Sequence, residues 1–66
     1  MDPFDTLKDS LRERLDRLEH RVGILMTISD LQREQGRHDV AKAYRNQALK
    51  SRSEAQSITV LLQYTI

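Results

Sequence analysis

Gln35-Gly36-Arg37-His38-Asp39 is the one turn signal in this chain, and the reading of the rest depends on it. Gly36 can take the left-handed conformation that ends a helix, which other residues adopt only with strain. Asp39 or His38 can open a following helix. Asp39 is the better cap, because its carboxylate accepts hydrogen bonds from the orphan N–H groups of a first turn. The spacing therefore predicts a first helix over about 3–35, a turn at 36–38 and a second helix over about 39–63. With 66 residues, these fill one small domain at most.

Upstream of the turn, Asp2-Pro3-Phe4-Asp5 reads as a helix start. Asp2 can cap, Pro3 suits the first helical position, and Asp5 places negative charge where the helix dipole favours it. Phe4, Leu7, Leu11, Leu15, Leu18, Val22 and Leu25 then recur at spacings of three and four. At 100° per residue they stay within an arc of roughly 80°, a single apolar stripe. On the opposite face Arg12/Asp16 and Glu13/Arg17 stand at i,i+4, pairs worth a few tenths of a kcal/mol each. Gly23 interrupts this helix at a cost of about 0.5–1 kcal/mol relative to alanine. It loosens the helix locally or admits a close neighbour. There the pattern also changes: Ile24, Ile28 and Leu31 lie nearly opposite the Val22/Leu25 stripe, so residues 22–31 are apolar on two sides.

Downstream of the turn the stripe reads Val40, Tyr44, Ala48, Ser51, Ala55, Ile58 and Leu62. The last residues, Ile58 to Ile66, are rich in β-branched and aromatic types and taken alone resemble a strand. Helix is the better expectation, because Ile58 and Leu62 continue the stripe and no second strand exists to pair with. Val60 and Tyr64 fall off it. A short turn makes the two helices antiparallel neighbours. Leu25 should then meet Ala48, Val22 meet Ser51, Leu18 meet Ala55, Leu15 meet Ile58 and Leu11 meet Leu62. Large side chains face small ones through the middle, so the backbones can approach closely. The expected fold is an all-α antiparallel two-helix hairpin, completed by a partner or by homodimerisation into a four-helix bundle.

Composition narrows the function. Eleven basic and ten acidic residues leave a formal net charge of +1, too small to steer the chain to nucleic acid or anionic membrane. The signs are segregated: residues 1–36 hold six Lys/Arg and eight Asp/Glu, and residues 37–66 hold five and two. There are no cysteines, so neither disulfides nor thiolate zinc sites exist. The acidic opening, Met1 to Asp5, is not expected to be a signal peptide. The most apolar run, Ile58-Thr59-Val60-Leu61-Leu62, is far shorter than the ~18 apolar residues that span a bilayer. A cytoplasmic protein is expected.

Catalysis has little to stand on. There is no glycine-rich phosphate loop and no serine–histidine–acid constellation. His20 sits on the charged face between Asp16 and Glu19, and His38 lies in the turn with no ligand-spaced companion. No catalytic residue, metal ligand or cofactor is expected, and the chain does not read as an enzyme. Arg33, Arg37, Lys42 and Arg45 surround the turn, but Asp30, Glu34 and Asp39 are interleaved and no aromatic platform accompanies them. Nucleic acid is not the expected partner.

Exposed apolar surface is the informative feature. A hairpin hides one stripe of each helix, which leaves Ile24, Ile28, Leu31, Val60, Leu61 and Tyr64 over. Each such side chain left in water forgoes about 1.5–3 kcal/mol. Contiguous surface of this kind marks a protein-binding site. These six are the candidate partner-binding residues, for a second copy or for another protein. The antiparallel pairing places Ile24, Ile28 and Leu31 and the group Val60, Leu61 and Tyr64 toward opposite ends of the hairpin, where they can serve two neighbours.

The second helix opens Ala41-Lys42-Ala43-Tyr44 and closes Ala55-Gln56-Ser57-Ile58-Thr59-Val60-Leu61-Leu62-Gln63-Tyr64. With the leucine-striped first helix, the short glycine-containing turn and the overall length, the chain resembles the small two-helix co-chaperones of the type III secretion needle subunit (YscE-like). The likeness covers most of the chain and is best over 36–64. It implies pairing with a larger tetratricopeptide-like chaperone, the two together holding the needle subunit soluble and unpolymerised in the bacterial cytoplasm. Two other likenesses stand beside it. Ala55 to Val60 also resembles the second helix of needle subunits, structural proteins whose Pro-containing turn is missing here. Gly36, Ala41, Ala48 and Leu49 fall at tetratricopeptide spacings, although a single repeat is rarely stable alone. A homodimeric four-helix-bundle regulator that binds nucleic acid is the alternative from a different functional class.

Overall fold

The computed structural model describes residues 2–64. Its two helices are α1, Pro3–Glu34, and α2, His38–Tyr64. The chain is an all-α antiparallel hairpin, with no strand among the described residues. Residues 58–64 are helical, so continuity of the stripe outweighs local β-propensity there.

The start of α1 follows from its sequence. Asp2 is extended at φ −71° and ψ 127°, and its Oδ1 accepts from the Phe4 N–H at 3.0 Å. At the other end the Gly36 N–H donates to the Arg33 carbonyl at 3.0 Å and the Arg37 N–H to the Gln32 carbonyl at 2.9 Å. This bond pair is the Schellman motif, and it requires a left-handed residue, which Gly36 supplies at φ +78°. Gly36→Ala should therefore cost about 1–2 kcal/mol. Thermal unfolding would show this as a lower midpoint, by roughly 4–8 °C per kcal/mol in a chain of this size. An unchanged midpoint would mean that the turn does not hold the helices together.

The reversal is tighter than the sequence suggests. Helix α2 begins at His38, and the Ala41 N–H already donates to the Arg37 carbonyl at 3.0 Å. Asp39 is thus not the cap. It lies inside the first turn, where its charge still favours the helix dipole.

Small residues line the seam. Leu25 and Ser29 of α1 are buried, as are Ala41, Ala48, Ser51, Ala55 and Ile58 of α2. Leu11, Leu15, Leu18, Val22, Tyr44 and Leu62 are half-buried beside them. Ser29 donates its hydroxyl to the Ala41 carbonyl at 2.7 Å, a buried bond that joins the helices beside the turn. Leu18 lies beside Ser51 and Val22 beside Ala55, within one turn of the expected register.

Three expectations are corrected. Near the turn Ala41 occupies the seam, while Val40 turns outward and is exposed. Ala41, Ala48 and Ala55 repeat every seven residues, and that row of small side chains is what lets the backbones close. Phe4 and Leu7 continue the stripe of α1 but remain exposed. Among the described residues the buried part of the seam ends at Ile58 of α2, and Phe4 and Leu7 lie beyond it. Finally, Arg12 pairs with Asp9 at 3.9 Å rather than with Asp16, and Glu13 makes no ion pair with Arg17. Arg33 pairs with Asp30 at 2.8 Å. Both pairs are exposed and add little stability.

Far-UV circular dichroism should report a protein that is mostly helix. A measured helix content below about half would be incompatible with two helices of this length.

Candidate partner-binding surface

Both helices are amphipathic, but the hairpin uses only one face of each. A side chain a half-turn away from the seam has no intramolecular neighbour to pack on. Ile24 is 48 % exposed and Leu31 50 %, and both lie on the turn-side half of α1. Ile28 is half-buried, because it stands closer to the seam on the helical wheel. At the open end Leu61 is exposed and shares a hollow with Leu11 and Ile58. Val60 and Tyr64 are exposed on the outer side of α2.

The six predicted residues therefore do not form one patch. Ile24, Ile28 and Leu31 form one group near the turn. Val60, Leu61 and Tyr64 form another toward the open end, and they are themselves divided between a flank and the outer side of α2. Four further large apolar residues are exposed: Phe4, Leu7, Val40 and Leu49. The periodicity assigns the first three to the seam stripes, and Leu49 stands out in the sequence only for its repeat spacing. Leu49 is 48 % exposed. It stands off the Ala48/Ser51/Ala55 stripe and on the same outer side as Val60, eleven residues on, and that position was the available signal.

Gly23 gains a meaning. A side chain built there would meet nothing within 4 Å. The hairpin's own packing thus does not require a glycine. The residue sits in a shallow hollow on the outer side of α1, lined by Glu19, His20, Gly23, Ile24, Thr27 and Ile28. Thr27 donates its hydroxyl back to the Gly23 carbonyl at 2.9 Å. His20, Gly23, Ile24 and Thr27 stand at i, i+3, i+4 and i+7. That is the four-residue hole which accepts a knob from a facing helix.

Of the basic residues around the turn, Arg33, Lys42 and Arg45 line a notch of about 390 Å3 with His38, over a floor of Ser29 and Ala41. Arg37 is not among the lining residues. Asp30 neutralises Arg33, and the Ser29 hydroxyl is occupied by the Ala41 carbonyl. Among the described residues, no group of three or more His, Asp or Glu side chains is placed to hold a metal ion. No helix among them is long and apolar enough to cross a membrane.

Compared with protein-family models, with curated proteins and with solved structures, the chain matches none.

Proposed function

We propose that this chain is a non-enzymatic, cytoplasmic protein-binding module. It works as a co-chaperone that, with a tetratricopeptide-like chaperone, keeps a type III secretion needle subunit soluble and unpolymerised. One observation carries the binding role: the seam is filled, yet Ile24, Leu31, Val60, Leu61 and Tyr64 remain exposed on two separate parts of the hairpin. Two apolar surfaces on a thin hairpin suit a small adaptor that touches two neighbours. An amphipathic helix laid in an apolar groove is the recognition mode that such surfaces fit. The finer assignment, to needle-subunit secretion, rests on the resemblance over residues 36–64.

The test is co-purification of the tagged chain with the proteins encoded beside it in its own cell. The expected result is a complex that contains a helical-repeat protein and a small helical subunit, and in which that subunit aggregates once the tagged chain is removed. Recovery of the chain with nucleic acid instead, in a salt-sensitive complex, would overturn the reading.

A further inference from the structure

We propose that copies of this hairpin stack side by side, with Leu49 of one copy seated in the hollow at Gly23 of the next. The inference rests on the reading of the exposed apolar faces as protein-docking surfaces, and it names an occupant for two of them: a second copy of the chain.

Geometry supplies the first argument. The hole formed by His20, Gly23, Ile24 and Thr27 faces away from α2, and Gly23 leaves its floor open. Leu49 is exposed on α2, off the seam stripe. The pairs that meet within the hairpin, Ser29 with Ala41 and Leu18 with Ser51, have numbers that sum to about 70. Leu49 consequently stands level with Arg21, beside the His20 end of the hole. A neighbour displaced sideways and shifted along the axis by less than one helical turn brings its Leu49 over the hole. The antiparallel α1–α2 packing inside one hairpin is then repeated between hairpins.

Charge selects this arrangement over a symmetric one. The α1 segment, residues 1–36, is acidic by two charges, and residues 37–66 are basic by three. Two α1 outer faces set against each other would bring Asp9, Glu13, Asp16 and Glu34 together with their counterparts and repel. An α1 face against an α2 face joins opposite signs, with Lys42 and Lys50 flanking Leu49.

Surface area is the third argument. A compact monomer of 7.7 kDa is expected to expose about 4,300 Å2. The hairpin exposes 5361 Å2, an excess of roughly 1,000 Å2, and a stable interface takes about 800 Å2 from each partner. The excess is of the size that one neighbour would cover, roughly two-thirds of what the two neighbours of a copy inside a stack would take.

A contact between two different faces does not close on itself, so the stack should grow with concentration rather than stop at two. Sedimentation of the intact chain over a dilution series should show a mass that rises without a plateau at the dimer. Gly23→Leu fills the hole and Leu49→Glu removes the knob. Each should weaken self-association about thirtyfold or more, with helicity retained by circular dichroism, since neither position packs inside the hairpin. Mixed together, the two variants retain one good interface between them, the knob of the first and the hole of the second. They should form a one-to-one complex and nothing larger. A chain that stays monomeric at every concentration, a chain that stops at a dimer, or a mixture that forms no complex would overturn the proposal. Failure here is distinguishable from failure of the partner reading. A monomeric chain whose co-purifying partner is still lost on Ile24→Asp leaves the adaptor role standing and removes only the stack.

Discussion

Replacing Ala48 with leucine should destabilise the hairpin by about 1–3 kcal/mol. Ala48 is only 1 % exposed, and it is the middle member of the row Ala41, Ala48, Ala55. It shares the seam with Leu25, the most deeply buried leucine of α1. Added methylenes at that point have no void to enter, so the helices must separate or the leucine must leave its rotamer. Separation also loosens the Ser29 bond to the Ala41 carbonyl two turns away. A domain of this size has roughly 3–10 kcal/mol of stability in total, so the loss is a substantial share. Ala55→Leu should behave likewise, whereas Ala43→Leu, on an exposed position of the same helix, should be close to neutral. Thermal or urea unfolding of the three variants gives the comparison. If Ala48→Leu and Ala55→Leu unfold no earlier than Ala43→Leu, the helices do not touch closely along this row.

The hairpin was legible in the sequence because two physical signals agreed. The left-handed requirement at Gly36 marked the reversal, and the apolar stripes on either side had matching lengths and complementary sizes. Where the reading slipped, the competing effect can be named. Asp39 has the chemistry of a cap, but the Schellman bonds at Gly36 and Arg37 turn the chain so quickly that helical geometry resumes at His38. Val40 is more apolar than Ala41, and a pattern based on hydrophobicity assigns it to the core. Close approach of the two backbones selects the smaller side chain instead, with Val40 left outside. Ser29 was overlooked for the converse reason. It is polar, but it follows Leu25 at i+4 and buries its hydroxyl on a carbonyl of the other helix. The candidate site was harder to read. Periodicity identifies which residues are left over from one seam and the antiparallel pairing places them toward opposite ends, but neither shows that Ile28 is half-buried while Ile24 and Leu31 are not. Along the axis Ile24 stands about 20 Å and Leu31 about 30 Å from Leu61, in a molecule 52 Å long. The three-dimensional register, with Ser29 on Ala41 and Leu18 beside Ser51, places Leu49 and Gly23 within one helical turn of the same height.

Ile24→Asp and Leu61→Asp should each abolish partner capture while the isolated hairpin keeps its helicity. Ile24 is a better choice than Ile28. Both belong to the apolar side of α1 near the turn, but Ile28 is half-buried against the seam, so a charge there would disturb folding as well as binding. Ile24 and Leu61 are 48 % and 52 % exposed, and an aspartate at either place stays hydrated in the free chain. In a complex the same carboxylate would be buried without a partner, which carries a penalty of several kcal/mol. Truncation of a central interface anchor alone costs about 2 kcal/mol or more, roughly a thirtyfold loss of affinity. Arg12→Ala is the control. It removes only an exposed contact with Asp9 at 3.9 Å, on a face without large apolar side chains, and should leave capture within about twofold. Quantitative pull-down of the tagged variants, with circular dichroism on each, distinguishes the outcomes. Loss at Ile24 but not at Leu61 assigns the partner to the turn end of α1. Loss at both places a neighbour at each end, as an adaptor between two proteins requires. Undiminished capture by two well-folded aspartate variants would move the binding site to the charged faces and refute the apolar-surface reading.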